Sequence, residues 1–512
     1  MRKISIYLES SLETQELHFD SRKTYAQNLF TYGLIRERPL CSGLGLCGQC
    51  KIKFVSNSPK PKPKDLQILS PRELELGYRL ACIHFPESNQ KIEIPSTKGY
   101  FNFSKKSQSP AVCLGIDLGT TTIKWALIHA DKEVSKGQCL NPQMGAGAEV
   151  VSRLAFALES EKNRQLLTTL VQAKVGQIVS KAGENKCPLV LAGNPAMIYL
   201  FLGLEVRELS FAPFNLNYWG GCEELLNPDI PKLYIPPLLG AFVGADISAG
   251  LTYIEFERDE DGYPYLFCDL GTNGEMVLVK DSRTFLCTSV AMGPALEGVG
   301  LRFGSVFGDN DVCSRFFLTP SGLSGWPQKD FRISGSGYLS LIGILLQLGI
   351  LDRNGHFQEG RHPLARKVQA RLQENRLYLT EEVYLSAHDI EEILKVKAAF
   401  NLAINYLLEK AGLTFRDIRR IFIAGAFGQH VQGGSLEELG FLPQGMEAKT
   451  SFVGNTALKG SVLLCQDERA RNWVEGLKDK VRYINLAHGD YLAENFAKHM
   501  RFSFVDEDRR IG

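Results

Sequence analysis

The 512 residues contain no run of about 18 apolar residues, the least that a membrane-crossing helix needs, so no membrane partner is expected. The amino terminus, MRKISIYLES, turns polar before an apolar stretch of signal-peptide length develops, which points to a cytoplasmic protein. Charge of one sign is also lacking. The 58 Lys and Arg against 57 Asp and Glu leave a net +1, with neither the basic footprint of a nucleic-acid binder nor an acidic tail, so no nucleic-acid partner is expected. Twelve cysteines in so long a chain are too dilute for a disulfide scaffold. The nine histidines show no metal-ligand spacing, and His129 and His430 read as solvent-facing or hydrogen-bonded core groups.

What is present suggests at least two domains, because one core seldom serves more than about 200 residues. Residues 1–97 read as a small β-rich unit. The alternation KISIYLE is followed by a helical stretch over 24–33, a cysteine loop, the strand KIKFV and a last strand KIEI at 91–94. PKPKPK at 59–64 reads as a stiff, solvated loop, since proline lacks a backbone donor and lysine prefers water. Ser70-Pro71-Arg72-Glu73 has the pattern of a helix start: a serine cap, proline at the first position and glutamate three residues after the cap. Residues 98–110, rich in Ser and Lys, read as a linker. From 111 to 512 apolar strands (AVCLGIDLG, PLVLAG, YLFCDL, RRIFIAGA) alternate with helical patterns, 338–351 and 389–411 among them, as in an α/β protein.

Cys41, Cys47 and Cys50 crowd into ten residues, and Cys82 follows in GYRLAC. Four thiolates are the number that hold two irons and two sulfides, while Gly43, Gly45 and Gly48 let the backbone wrap closely and aim amides at sulfur. Five residues separate the first two cysteines, as in vertebrate-type ferredoxin loops, rather than the four of the plant type. Zinc is the alternative, although zinc sites usually pair cysteines as two short C-x-x-C hooks and only one hook is present. The other eight cysteines read as small buried hydrophobes.

Three glycine-rich strand endings carry the second chemistry. In Gly115 to Thr122 an acidic residue, Asp117, ends a strand and a turn of Gly119, Thr120 and Thr121 follows. Backbone amides and hydroxyls there can meet phosphate oxygens while the carboxylate holds hydrated magnesium. Asp269 to Glu275 echoes it, with Gly271, Thr272 and Asn273 in the turn. Ile421 to Gly428 ends in small residues, and Gly425 and Gly428 would let a flat adenine or ribose approach the backbone. Gly335-Ser336-Gly337 is a further candidate for close approach. Each turn alone could be a plain hairpin; the three in this order are harder to dismiss.

DLGTTT at 117–122, DLGTNGE at 269–275 and IAGAFG at 423–428 resemble the phosphate 1, phosphate 2 and adenosine motifs of the acetate and sugar kinase, heat-shock chaperone and actin superfamily. Joined to the cysteine module, the whole chain resembles the reductive activators of corrinoid-dependent proteins, with support from GNPAM at 193–197, PPLLGAFVGADISAG at 236–250, MGPALEG at 292–298 and VGNTALKG at 453–460. The resemblance implies an α+β ferredoxin domain of β-grasp type, followed by a two-lobed α/β ribonuclease H-like ATPase domain. It implies a 2Fe-2S cluster on Cys41, Cys47, Cys50 and Cys82, with ATP and Mg2+ held by the residues of the three motifs. Asp117, Asp269 and Glu275 would be catalytic, with Asp246 a weaker candidate for orienting water or magnesium. The partner would be a corrinoid protein or corrinoid-dependent methyltransferase whose Co(II) is returned to Co(I), supplied by an unidentified low-potential electron donor; a homodimer is among the assemblies it allows. Longer members place an extra segment between ferredoxin and ATPase, whereas here the first phosphate motif follows the linker almost at once.

Two other functions compete. A small-molecule kinase of the same fold would have no use for an iron-sulfur module. A redox-sensing ATP-dependent chaperone would change partner affinity with cluster state, yet pass no electron.

Overall fold

A computed structural model describes residues 2–8, 13–36, 38, 40, 43, 45, 48–95, 101–104, 111–130, 134–147, 149–182, 187–258, 262–271, 273–298, 300–305, 312–326, 331–360, 362–425, 435–486 and 491–505. The chain divides into two compact units. The first comprises 1–189, 196–218 and 223–233; the second comprises 190–195, 219–222 and 234–512.

The first unit begins with a five-stranded sheet. Its strands are β1 (Arg2–Leu8), β2 (Glu13–Phe19), β3 (Lys51–Ser56), β4 (Tyr78–Leu80) and β5 (Lys91–Ile94), in the order β2-β1-β5-β3-β4. β1 pairs antiparallel with β2 and parallel with β5, which makes a β-grasp. The period-2 pattern of KISIYL buries Ile4 and Ile6 together on one face. Helix α1 (Tyr25–Thr31) crosses that face, started by a reciprocal capping box between Thr24 and Gln27. Its first amides are satisfied by the chain around Cys82: Tyr25 N donates to His84 O and Ala26 N to Ala81 O, both at 2.9 Å.

PKPKPK is irregular over 59–62, as its composition suggests, but its last two residues enter a helix. Helix α2 (Pro63–Ile68) starts inside it with proline at the first turn, and Asp65, fully buried, accepts the Lys62 N–H at 2.8 Å. Helix α3 (Pro71–Glu75) starts at the Ser70 cap as read from the sequence.

The stretch read as a linker also contains structure. Strand β6 (Phe101–Ser104) pairs antiparallel with β9 (Val134–Leu140). The strands β7 (Ala111–Leu118), β8 (Thr122–His129), β9 and β6 then run in that order. The F-N-F alternation, short enough to pass as irregular, suits an edge strand. Within this unit Gly145 N donates to Arg36 O at 3.2 Å, and Phe30 meets Phe156 edge-on at 5.5 Å between ring centroids.

The second unit is built on a six-stranded sheet. Its order is Thr450–Gly454, Arg420–Ala424, Tyr265–Leu270, Asn273–Asp281, Thr284–Ala291 and Val481–Tyr483. The first three strands are mutually parallel and the next two continue as antiparallel hairpins. Helix Ala387–Ala411 is capped by Ser386 and closed by Gly412 at φ +64°, and it buries 17 of its residues. Helix Gly335–Gln347 places Gly335 and Gly337 in its first turn, where a Cβ would strike the carbonyls of Leu296 and Cys313. Those glycines therefore serve helix packing. Helices Ala245–Glu257 and Thr456–Gln466 touch backbone to backbone, since a Cβ on Gly460 would collide with the carbonyl of Ala249, and one on Gly250 would lie 2.8 Å from Thr456 Oγ1 and from Phe267 Cζ. Among the described residues no helix is long and apolar enough to cross a membrane.

Candidate cluster and nucleotide sites

Of the four cysteines picked from the sequence, Cys50 and Cys82 are described, while Cys41 and Cys47 lie outside the described residues. Cys50 precedes β3 and Cys82 follows β4, and the pairing of those strands brings the two together: Lys51 faces Leu80, and Ala81 N donates to Cys50 O at 3.1 Å. Both cysteines are buried, at 2% and 7% exposure. Gly43, Gly45 and Gly48 all have φ between +67° and +85°, the region where a side chain is strained. Two buried thiols on adjoining loops, with left-handed glycines in the loop that leads into Cys50, fit the donor set of an iron-sulfur cluster.

Sequence reasoning missed the group that braces this loop. Arg38, 5% exposed, donates through Nη1 to Gln49 O at 3.4 Å and Lys51 O at 3.2 Å, and through Nη2 to Pro95 O at 2.5 Å. Burial lowers its pKa, and the neighbouring Cys50 thiol acts in the opposite sense. The guanidinium thus spans the carbonyls on either side of Cys50. Nothing in the local pattern around Arg38 signals this.

The first phosphate motif is the turn between β7 and β8, closed by Leu118 facing Ile123 and Asp117 facing Lys124. Gly119 is required there, because a Cβ would lie 2.5 Å from Thr122 O. Thr120 and Thr121 are buried, and the turn is held from behind. Asn141 donates its amide Nδ2 to Gly119 O at 2.9 Å and its backbone N–H to Thr121 O at 2.9 Å. Arg153, fully buried, donates to Thr120 O and, at 2.8 Å, to Gly147 O. A lone arginine in the apolar run VVSRLAFALE was the available clue to this support, since arginine is seldom sealed away without partners.

The second motif is the hairpin of Tyr265–Leu270 with Asn273–Asp281, where Asp269 faces Glu275 and Gly271 N donates to Asn273 O at 3.0 Å. Asp269 also stands opposite Ala424 on the parallel neighbour. The next residue, Gly425, turns out at φ +96° and donates to Gly454 O at 3.0 Å; a Cβ there would be 2.5 Å from Leu270 O and 3.1 Å from Asp269 Oδ1. The adenosine-type strand and the second phosphate-type turn therefore meet at Asp269. Thr272 and Gly428 lie outside the described residues, as does His430.

Asp246 opens helix Ala245–Glu257, with Oδ1 accepting Ile247 N at 2.9 Å. Its neighbour Gly244 admits no side chain, as a Cβ would lie 2.5 Å from Gly193 O and from Asn194 Cα. Asp246 and Asp269 bear on Glu275 electrostatically. Burial, then the charges of Asp246 and Asp269, push the Glu275 carboxyl well above the usual carboxylate range, against the hydrogen bonds of its own backbone and Asn273. Burial and the two neighbouring carboxylates thus disfavour charge on Glu275. Among the described residues no group of three or more His, Cys, Asp or Glu has the geometry of a complete metal site.

The profile described as the RACo middle region matches residues 112–259, and the profile described as the C-terminal domain of RACo, the ASKHA domain, matches 264–509. The first covers Asp117 to Thr122; the second covers Asp269 to Glu275 and Gly425. "Corrinoid activation enzyme RamQ" of Eubacterium limosum is 26% identical over 456 residues, 82% of this chain and 76% of that protein. "[Co(II) methylated amine-specific corrinoid protein] reductase" of Methanosarcina barkeri is 23% identical over 400 residues, 67% of this chain and 68% of that protein. A solved structure, "Reductive activator for corrinoid,iron-sulfur protein", superposes with a TM-score of 0.68 at 21% identity, covering 100% of both chains, and so shares the fold. The chain belongs to the RACo family of reductive activators, carrying its middle region and its ASKHA domain behind a β-grasp module.

Proposed function

We propose that this protein is an ATP-dependent reductive activator that delivers one electron to the Co(II) corrinoid of a corrinoid protein or corrinoid-dependent methyltransferase and restores Co(I). The observation that carries the reading is the Cys50–Ala81 backbone bond, which joins two buried cysteine loops in the same chain as the Asp269 and Gly425 turns. Its relatives' names point to the same kind of target.

Cys41, Cys47, Cys50 and Cys82 would hold a 2Fe-2S cluster, which when bound supplies a low-potential one-electron couple; plant-type clusters, whose loop is one residue shorter, lie at about −400 mV. Arg38 keeps the Cys50 loop in shape. Gly119, Thr120 and Thr121, and likewise Gly271, Thr272, Asn273, Gly425 and Gly428, would receive Mg-ATP, with Asp117 and Asp269 toward magnesium. Asn141 and Arg153 fix the first turn so that its amides are pre-oriented. Glu275, whose carboxyl burial and the charges of Asp246 and Asp269 hold above the usual carboxylate range, and Asp246 would orient water or magnesium.

The corrinoid couple is expected below the cluster's, so unaided transfer runs uphill. ATP binding and hydrolysis would offset this by giving two states with different affinity for the Co(II) partner, because only differential binding shifts such an equilibrium. We further assign residues 1–97 to the ferredoxin module and 111–512 to the ATPase, and place the protein in the cytoplasm beside a low-potential donor. The test is anaerobic: the visible spectrum of a Co(II) corrinoid protein is followed with reductant and ATP added separately and together. A Co(I) band that needs both supports the reading; a colourless, iron-free chain carrying zinc sinks it.

A further inference from the structure

Residues 59–68, PKPKPKDLQI, fold over the cysteine loop, and nothing in the activity above uses them. A Cβ on Gly45 would lie 3.3 Å from Lys64 Cβ and from Ile83 Cγ2, and one on Gly48 would lie 3.1 Å from Ile68 Cγ2, so α2 rests directly on the loop's glycines. Lys62 donates from Nζ to Ile83 O, next to Cys82, and its ammonium stands 5.6 Å from the Phe85 ring. The segment carries three lysines and one acid. That acid, Asp65, points inward to His84 at 2.7 Å and is sealed from solvent, which leaves the outward charge positive. Leu66 and Phe85 are 61% and 48% exposed on the same two segments. Lysines and exposed apolar groups thus collar the chain that carries Cys82.

We propose that this collar, formed by Lys60, Lys62, Lys64, Leu66 and Phe85, is the docking surface for the electron donor, an acidic electron-carrier protein. The inference rests on the reductive-activator reading and adds its missing partner. Lysines over an apolar centre complement a carboxylate-ringed redox surface, and such pairs form fast, weak, salt-sensitive complexes suited to repeated turnover. The donor has to meet only the module that bears the cysteines, whereas the corrinoid partner answers to the nucleotide state. One electron leaves the carrier's reduced centre and enters the oxidised cluster; no bond is made and no proton is required.

The experiment uses the full chain, reconstituted anaerobically, with a reduced acidic two-[4Fe-4S] ferredoxin as probe. Stopped-flow bleaching of the 2Fe-2S band is recorded against ionic strength for wild type, Lys60→Glu/Lys64→Glu and Lys60→Arg/Lys64→Arg. The expected result is at least a tenfold lower second-order rate and a flattened salt dependence in the glutamate variant only. Its visible circular dichroism and its bleaching by dithionite should match wild type, which excludes misfolding. A glutamate variant reduced by ferredoxin at the wild-type rate overturns the proposal. So does one that accepts the electron normally but fails to reduce a Co(II) partner, since the collar would then belong to the acceptor. A chain that binds no iron removes the parent reading, and the collar with it.

Discussion

His84 Nε2 and Asp65 Oδ2 lie 2.7 Å apart, and neither side chain is more than 3% exposed. Asp65 also accepts the amides of Leu80 at 2.9 Å and Lys62 at 2.8 Å, so one carboxylate ties α2 to β4 and to the chain just past Cys82. Asp65→Ala orphans three donors, two of them buried, and should cost about 2–4 kcal/mol in chemical denaturation. Burial raises the Asp65 pKa, but His84 and the two amides outweigh it and hold the carboxyl below its ordinary value. The resulting stability is present above the unfolded carboxyl pKa of about 3.9 and lost as pH falls through the lower folded value. Thermal melts over an acid series should show that loss in wild type and none from this site in Asp65→Asn.

Glu275→Gln should fold, because burial and the neighbouring carboxylates already disfavour charge at this position. With the folded pKa raised, the wild-type contribution is complete below the unfolded glutamate value of about 4.3 and declines as pH rises toward the folded one. The variant lacks that decline, so its melting temperature should exceed wild type by a margin that widens with pH. ATP hydrolysis, if the carboxyl must ionise during turnover, should fall about tenfold to a hundredfold. A wild-type rate in the variant removes Glu275 from the reaction.

Gly425→Ala places a Cβ 2.5 Å from Leu270 O and 3.1 Å from Asp269 Oδ1 at a φ of +96°. Strain of this kind costs about 1–3 kcal/mol. Because the clash falls on the backbone of the turn that carries Asp269 and also crowds its carboxylate, nucleotide affinity measured by calorimetry should weaken more than tenfold even where the variant remains folded.

Lys397 is fully buried on helix Ala387–Ala411 and donates to His499 O at 3.2 Å and Ser503 O at 2.5 Å. Burial, with a smaller push from Arg501, brings its pKa down to about 7. Between that value and the unfolded lysine value of about 10.4 the unfolded chain holds the extra proton, so this group makes stability rise with pH across that window and adds no further change below about 7, where both states hold the proton. Lys397→Met should flatten that rise in denaturation midpoints.

Much of this was legible in residue order. Strands KIKFV and KIEI, the Ser70 cap and both Asp-Leu-Gly turns follow from period-2 patterning and local capping chemistry, which short segments carry by themselves. The misreadings came where long-range contacts decide. The end of PKPKPK, Pro63 and Lys64, enters a helix whose Asp65 finds His84 19 residues away, and 101–104 becomes a strand because β9 offers an edge. Arg38 and Arg153 left little trace, since what gives each its role is a set of carbonyls presented by distant turns.

The contact of Gly460 with the Ala249 carbonyl has a mechanical side. Two helices whose main chains touch cannot glide past each other without colliding, so helices Ala245–Glu257 and Thr456–Gln466 travel as a single strut. Asp246 stands at one end of that strut, so if nucleotide binds as proposed, a shift of Asp246 would be felt by the partner helix as well.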